Sequence, residues 1–164
     1  RIATDDCKAV YLAKQKSPDR KVAVKIYSPK LSRSREFRES FAASTKVMAK
    51  LKHPNLIGVY DSGVDEGMLY SVSEFVAGKP LWSSCKGEPV HIKYVQTLTE
   101  GICAGMCYAH KHGVFHGALS MKNILIDESR LPKIGGFSQA CGDTVKLDPS
   151  ALRFRAPEMV GDGA

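Results

Sequence analysis

The stretch Val22-Ala-Val-Lys-Ile-Tyr27 places β-branched and apolar residues around a single lysine. Such a run is typical of a β-strand. Upstream, Val10-Tyr-Leu-Ala13 predicts a second strand, and Ser17-Pro-Asp19 between the two has the composition of a turn. The sequence therefore predicts a pair of strands in this part of the chain, with Lys25 inside the second strand.

Downstream of these strands, the apolar residues change to the period of a helix over Arg35 to Leu51. One stripe, at spacings of three and four residues, consists of Phe37, Phe41, Ser44, Met48 and Leu51. Ser44 is the polar member of this stripe, so its side chain is predicted to face the body of the protein. Glu39 lies about 140° away from Ser44 around the helix and is predicted to face solvent.

Two further pairs of strands are predicted, each around an acidic turn. The pairs are Leu56-Ile-Gly-Val59 with Leu69-Tyr-Ser-Val72, around Asp65-Glu-Gly67, and Ile124-Leu-Ile126 with Pro132-Lys-Ile134, around Asp127-Glu-Ser129. Between them, a long helix that ends near Gly113 has an apolar face formed by Ile92, Val95, Leu98, Ile102 and Met106. A strand-rich half thus meets a helix-rich half near residue 78, and the predicted fold class is α+β.

The composition is typical of a globular domain, with 43% hydrophobic and 25% charged residues among 164. No run of about 18 apolar residues occurs, so no membrane-spanning helix is predicted. The net charge of +7 comes largely from Lys14 to Lys21 and from Lys30 to Arg38. Because no aromatic residues interleave these charges, we predict a solvated basic surface and no nucleic-acid site.

The five cysteines are scattered along the chain, at positions 7, 85, 103, 107 and 141. An odd, scattered set predicts a reducing compartment, which places the protein in the cytoplasm. Cys103, Cys107 and His110 share one face of the long helix and could bind a metal ion. Because no fourth ligand is evident, we favour packing of small buried cysteines.

Seven short motifs occur in order along nearly the whole chain. They are Val22-Ala-Val-Lys25, His53-Pro-Asn55, Glu74-Phe-Val-Ala-Gly78, Tyr108-Ala-His110, His112-Gly-Val-Phe-His116, Asn123-Ile-Leu-Ile126 and Ala156-Pro-Glu158. In order and spacing they resemble protein kinases of the serine/threonine type, above all the bacterial branch. The resemblance implies the two-lobed kinase fold, with an N-lobe and hinge over residues 1–78 and a partial C-lobe over 79–164 that is truncated after the activation segment.

The resemblance also assigns roles to residues, since kinase chemistry combines positioning of ATP with neutralisation of its charge. A vestigial nucleotide-binding set corresponds to Val10, Ala23, Lys25, Glu74, Val76, Asn123 and Leu125. The column that links the two lobes in the family corresponds to Met48, Val59, His116 and Phe137, and the gatekeeper position is Ser73.

Most positions that carry the chemistry are replaced, so no catalytic residue is assigned. The helix glutamate corresponds to Ser44, the catalytic base to Ala118, the catalytic-loop lysine to Ser120 and the magnesium-binding aspartate to Gly136. Ala3, Asp5 and Lys8 stand where the phosphate loop has glycines, and Ala151 replaces the activation-segment threonine. Asn123 remains as the only remnant of the metal site, and one amide is a weak ligand for magnesium, so no metal site is predicted.

The pattern favours a catalytically inactive pseudokinase that acts as a binding or regulatory module. One alternative is a degenerate but active serine/threonine kinase that transfers phosphate from ATP. The other is a small-molecule phosphotransferase, because His116-Gly117 resembles the His-Gly-Asp loop of aminoglycoside phosphotransferases, although Ala118 replaces the aspartate. The resemblance implies a protein partner, with an active kinase as one candidate. It implies no required cofactor and leaves open the binding of ATP without magnesium.

Overall fold

The computed structural model describes residues 1–84, 89–117 and 119–137, which form two antiparallel sheets and four helices. The first sheet has the strand order β1-β2-β3-β5-β4. Its strands are β1 (Ala3–Thr4), β2 (Lys8–Gln15), β3 (Arg20–Tyr27), β4 (Val59–Asp65) and β5 (Met68–Glu74). Glu66 and Gly67 join β4 to β5 with positive φ angles of 46° and 78°, the geometry that tight hairpin turns require. The turn predicted at this position is therefore confirmed.

Helices α1 (Pro29–Arg33) and α2 (Arg35–Met48) pack against this sheet. Ser34 begins α2, because its hydroxyl oxygen accepts a hydrogen bond from the backbone N–H of Phe37 at 3.2 Å. The rings of Tyr27, Phe37 and Phe41 then form a buried aromatic group with centroids 5.2 Å to 6.2 Å apart. The predicted stripe is present in part: Thr45 is buried, and Ser44 beside it is half-buried.

The second sheet has the strand order β6-β7-β8. Its strands are β6 (Gly78–Pro80), β7 (Ile124–Asp127) and β8 (Pro132–Ile134), and its helices are α3 (Leu81–Ser84) and α4 (Ile92–Lys111). One buried cluster contains side chains from both halves of the chain: Met48, Leu51, Leu56, Leu81, Leu98, Ala109, Ile124, Ile126, Ile134 and Phe137. The two sheets are thus joined by a common core.

Glycines allow the backbone to approach closely at two places in the second half. A Cβ atom at Gly78 would collide with the backbone carbonyl oxygen of Ile126 on the neighbouring strand. On α4, a Cβ atom at Gly101 would lie 2.7 Å from the Pro132 ring, and one at Gly105 would lie 3.2 Å from Asn55. These two glycines therefore bring α4 against β8 and the segment that contains Asn55.

One predicted strand is wrong, and one predicted apolar face is correct only in part. Residues 56–59 do not form a strand, because Leu56 makes an isolated parallel bridge to Ile134 and β4 begins only at Val59. On α4, Leu98 is buried and Ile102 and Met106 pack against the core as predicted, whereas Ile92 and Val95 are 75% and 40% exposed. The helix contacts β8 through its later turns, so its first turn projects beyond the sheet.

The cysteine face of α4 does not pack in the core either. Cys103, Cys107 and His110 are all exposed, so the packing that we favoured is wrong. Among the described residues, no group of three or more His, Cys, Asp or Glu side chains is placed to hold a metal ion. No helix in the described part of the chain is both long and apolar enough to cross a membrane.

Several predicted features lie outside the described residues. They are Cys85, Ala118, Cys141, Ala151 and the Ala156-Pro-Glu158 motif. Their assignments rest on the sequence alone.

Candidate functional site

The His53-Pro-Asn55 motif connects the two sheets. The Asn55 side-chain amide donates a hydrogen bond to the Pro132 carbonyl at 2.8 Å. Backbone hydrogen bonds of 2.8 Å also run from Ile134 N–H to Asn55 O and from Ile57 N–H to Ile134 O. This motif therefore attaches the chain after α2 to strand β8, which fixes one sheet relative to the other.

Glu74, at the end of β5, forms a second connection between the sheets. Its carboxylate lies 2.7 Å from the ammonium group of Lys133 on β8, with side chains that are 27% and 18% exposed, respectively. The backbone N–H of Gly58 also donates to this carboxylate at 3.3 Å. Glu74 was predicted in the vestigial nucleotide set; its carboxylate is committed to this ion pair, so only its backbone remains for a nucleotide.

The column assigned by resemblance is assembled. Met48 and Phe137 belong to one buried cluster, and Val59 packs against it. The His116 ring contacts the Phe137 ring at a centroid distance of 4.6 Å. His116 lies 2.9 Å from the Gly135 carbonyl through Nε2, and burial lowers the pKa of its imidazole despite this hydrogen bond. A neutral imidazole that donates Nε2–H to the carbonyl fits these observations.

The segment in the place of the phosphate loop is a tight turn between β1 and β2. The Asp5 N–H donates to the Lys8 carbonyl at 2.9 Å. One carboxylate oxygen of Asp5 accepts from the N–H groups of Cys7 and Lys8 at 2.8 Å and 3.0 Å. These N–H groups are bound to a side chain of the turn itself, whereas a phosphate loop directs its N–H groups at the ligand.

Lys25 lies in the middle of β3, opposite Val10 of β2. The residue keeps part of its surface in contact with solvent, but its ammonium group is deep enough for burial to lower its pKa. The Asp5 carboxylate acts on Lys25 at longer range and opposes this effect. Within the described residues, the ammonium group has no direct ion pair or hydrogen bond.

The position that should carry the carboxylate partner of Lys25 is Ser44. Its hydroxyl donates to the Phe41 carbonyl of its own helix at 3.1 Å. Thr45, beside it, donates to the same carbonyl at 2.7 Å and accepts from Ser62 of β4 at 3.1 Å. Glu39 is exposed and pairs with Arg35 at 2.8 Å, as expected for a residue on the outer face.

Asn123, just before β7, and Gly136, just after β8, lie next to each other. A Cβ atom at Gly136 would lie 3.3 Å from the Asn123 side-chain oxygen, and the Gly135 N–H donates to the Asn123 carbonyl at 2.8 Å. Gly136 has a left-handed φ of +88°. The two positions that hold metal in the family are therefore adjacent, but they supply one amide and no carboxylate. This pair does not fit a magnesium ion, which prefers carboxylate oxygens.

The catalytic-loop segment runs from His116 to Asn123. Gly117 has a positive φ of 69°, and Asn123 N–H donates to the Ser120 carbonyl at 3.0 Å. Ser120 is half-buried. Within the described part of this loop, 116–117 and 119–123, no carboxylate is present that could act as a base.

The positions assigned to the nucleotide by resemblance keep apolar residues. Val10, Ala23 and Leu125 are half-buried, and Val76 in the segment between the sheets is buried. Val10 and Ala23 lie on the same face of the first sheet as Lys25, because Val10 pairs with Lys25 and Ala23 lies two residues from it. The hydroxyl of Ser73 points to the Ala23 carbonyl at 3.5 Å.

Comparison with known proteins identifies this arrangement. The family profile described as the protein kinase domain matches residues 6–164. The chain belongs to the protein kinase family. The kinase domain of Mycobacterium tuberculosis PknI has a similar fold, with a TM-score of 0.75 at 23% identity over 84% of this chain and 57% of that chain.

Curated bacterial serine/threonine kinases are similar in sequence to this kinase domain. PrkC of Bacillus subtilis is 32% identical over 133 residues, which cover 80% of this chain and 20% of PrkC. PknJ of Mycobacterium tuberculosis is 29% identical over 161 residues, which cover 92% of this chain and 27% of PknJ. The chain thus spans about a quarter or less of the length of these relatives.

The sequence assigned the positions of the candidate site by resemblance but missed three residues. Lys133 was not assigned, although the strand Pro132-Lys-Ile134 contains a single lysine close to Gly136 in the sequence. Thr45 was missed because it lies next to the predicted stripe of α2. Lys8 was treated only as a lost glycine, and its side chain proves to be 19% exposed and close to Lys25.

Proposed function

We propose that this kinase domain is a catalytically inactive module that binds a ligand or a protein partner and transfers no phosphate. The observation that carries the proposal is the pair of positions at Asn123 and Gly136, which are adjacent but together offer one amide oxygen. Without a carboxylate there, the metal that neutralises the phosphates in active kinases has no adequate site. The remaining features of the cleft support the same conclusion.

Loss of the base adds to the loss of the metal site. The base position is Ala118 in the sequence, and a methyl group accepts no proton. General-base catalysis typically contributes about 10² to 10⁴ in rate. The phosphate loop is also replaced by a turn whose N–H groups bind Asp5. Because these parts act together in kinases, no single remaining residue compensates for them.

A binding role is supported by what the fold retains. The column of Met48, Val59, His116 and Phe137 is assembled, and two connections hold the sheets together at Asn55 and Glu74. A rigid two-lobed body can present a fixed surface to a partner without catalysis. An active kinase is one candidate partner, and we place this interaction in the cytoplasm.

The alternative is a degenerate but active serine/threonine kinase. Its support is the retention of Lys25 and Asn123 together with the assembled column. The two functions differ in one observable, which is transfer of phosphate from ATP to protein. They can therefore be separated with one variant, Lys25→Ala, that removes the lysine assigned to the phosphates by resemblance.

The test uses the full-length protein with γ-labelled ATP, magnesium or manganese, and generic protein substrates. We expect the wild type to give the same incorporation as Lys25→Ala. A signal above the Lys25→Ala background would overturn the proposal and support the active alternative. A combined variant, Ser44→Glu with Ala118→Asp and Gly136→Asp, shows whether the missing groups are the ones that limit transfer.

A further inference from the structure

An open groove lies where the segment between the two sheets enters the second sheet. Its volume is about 410 Å³, and the described residues that line it are 77–79, Ser84 and 126–128. None of them belongs to the vestigial nucleotide-binding set. Ala77 and Ile126 supply apolar surface to the groove. The groove is therefore a second concave surface of the protein, formed by residues to which no role has been assigned.

Strand β6 is the edge strand of the second sheet, and its backbone has an open side. The sheet has the order β6-β7-β8, so among the described strands β6 pairs only with β7. Pro80 has no N–H group, so its pair with Leu125 cannot exchange two hydrogen bonds. Bonded and non-bonded pairs alternate in an antiparallel ladder, which makes Lys79 and Ile126 the bonded pair. The N–H and C=O groups of Gly78 therefore point away from β7.

Gly78 is the position of β6 that an added strand can reach. The other outward carbonyl, that of Pro80, already accepts a hydrogen bond from the Ser83 hydroxyl at 2.8 Å. Within the described part of the chain, Gly78 has no backbone hydrogen bond outside its sheet. It has no side chain that covers these groups, and it is exposed. Free N–H and C=O groups on an exposed edge are a template for pairing with an extended peptide.

The charge at the groove selects the kind of peptide. Asp127 and Glu128 both line it, although the whole chain has a net charge of +7. One carboxylate oxygen of Asp127 accepts from the Leu131 N–H at 2.9 Å. Neither carboxylate forms an ion pair with a described residue. Lys79 adds one positive charge, so the three charged side chains give the groove a net charge of −1, which favours a basic ligand.

We propose that this groove binds an extended peptide segment of a partner protein, in which a lysine or arginine stands beside apolar residues. The inference rests on the proposed function, because it gives the binding module a class of protein partner. The peptide backbone pairs with Gly78, and its basic side chain lies against Asp127 and Glu128. An apolar side chain of the peptide contacts Ala77 and Ile126. Main-chain hydrogen bonds supply affinity in this mode, and the side-chain contacts supply specificity.

Fluorescence anisotropy with the full-length protein tests the groove. The probe is a fluorescein-labelled hexapeptide of alternating arginine and valine, and the comparison peptide has glutamate in place of arginine. We expect the arginine peptide to bind, and the glutamate peptide to bind at least about tenfold more weakly at low salt. Methylation of the central backbone nitrogens of the arginine peptide should weaken its binding by about fivefold or more, the loss typical of one hydrogen bond.

A pair of double variants tests the carboxylates. Asp127→Asn with Glu128→Gln removes both charges and keeps the oxygen that accepts from Leu131, and we expect it to weaken binding of the arginine peptide by about fivefold or more. The matched control is Asp61→Asn with Glu66→Gln on the β4–β5 hairpin. There the aspartate likewise accepts from a backbone N–H and the glutamate likewise lies in a turn. The control should change the affinity by less than about twofold, and thermal unfolding checks that both variants are folded.

The inference is overturned if the wild type does not bind the arginine peptide, if the two peptides bind equally, or if the two double variants lose the same affinity. Unchanged binding after methylation would overturn it as well, because the peptide would then not add to β6. These titrations contain no ATP. Phosphate transfer in the labelled-ATP assay would therefore refute the proposed function, while the titrations would still support or overturn the groove.

Discussion

The ion pair between Glu74 and Lys133 gives a sharp test of how the cleft is held together. The 2.7 Å distance between its carboxylate and the Lys133 ammonium assigns the Glu74 side chain to a connection between the two sheets and not to nucleotide binding. Lys133→Met removes the charge and keeps a similar stem, and Glu74→Gln keeps an oxygen that can accept from the Gly58 N–H. The two single variants and the double variant form a cycle that isolates the interaction of the two side chains.

The magnitude follows from distance and burial. The charged atoms lie 2.7 Å apart, and both side chains are less than a third exposed, at 27% for Glu74 and 18% for Lys133. Exposed ion pairs contribute about 0 to 1 kcal/mol, and removal of one partner of a buried pair costs about 3 to 5 kcal/mol. We therefore expect Lys133→Met to lower the free energy of unfolding by about 1 to 3 kcal/mol, between those limits. The double variant should lose less than the sum of the single variants.

Urea unfolding of the full-length protein measures these differences. Glu39→Gln is the control, because its ion pair with Arg35 has a similar distance of 2.8 Å but side chains that are 66% and 89% exposed. We expect that control to change the free energy of unfolding by less than about 0.5 kcal/mol. Glu74→Gln should leave the affinity for ATP unchanged. A coupling energy near zero, or a large loss of ATP affinity in Glu74→Gln, would refute the assignment.

Three further changes test separate parts of the structure. Gly78→Ala should lower the free energy of unfolding by about 1 to 3 kcal/mol, measured in urea, because its methyl group would collide with the Ile126 carbonyl. Burial lowers the pKa of His116, so below pH about 6.5 the unfolded state binds the proton more readily than the folded state, and stability falls as the pH falls. His116→Phe should reduce the slope of stability against pH in that range. Ser44→Glu should place a carboxylate near Lys25 and give no phosphate transfer, with a stability change under about 1 kcal/mol because desolvation offsets the attraction.

Matched variants accompany these three tests. Gly58→Ala should be nearly neutral, since its methyl group would meet Tyr60 at an ordinary 3.6 Å, and an equal loss would remove the steric argument for Gly78. For His116, a wild-type pH slope in His116→Phe would refute the pKa argument. Ser44→Gln is the control for a side chain of the same size without the charge. Phosphate transfer by Ser44→Glu alone would reveal a base that the sequence does not identify.

The sequence predicted the elements wherever local chemistry determines them. β-Branched residues predicted the strand around Lys25. Turn-forming residues predicted the turn at 65–67, and periodic apolar residues predicted the helix from Arg35. The predicted strand at residues 56–59 failed because Leu56 and Ile134 pair across the two sheets. A local pattern contains no information about such a distant partner.

The candidate site shows the same limit. The replacements at Ser44 and Gly136 could be located by spacing within motifs, and the adjacency of Gly136 to Asn123 agrees with that placement. The proximity of Lys8 to Lys25 could not be predicted, because it depends on the register of β2 and β3. Exposure of Cys103 and Cys107 was missed because the spacing of the cysteines along α4 does not show which face of the helix packs against β8.

The most direct test of the central claim is a single-turnover measurement on the full-length protein. The protein is mixed in excess over γ-labelled ATP with magnesium or manganese, and labelled phosphate on protein and in solution is followed over a day. We predict that the wild type and Lys25→Ala release and transfer labelled phosphate at the same slow background rate. The reason is that the base is absent at position 118, an alanine, and the metal-binding carboxylate is absent at Gly136. A burst or a steady release from the wild type above that of Lys25→Ala would contradict it.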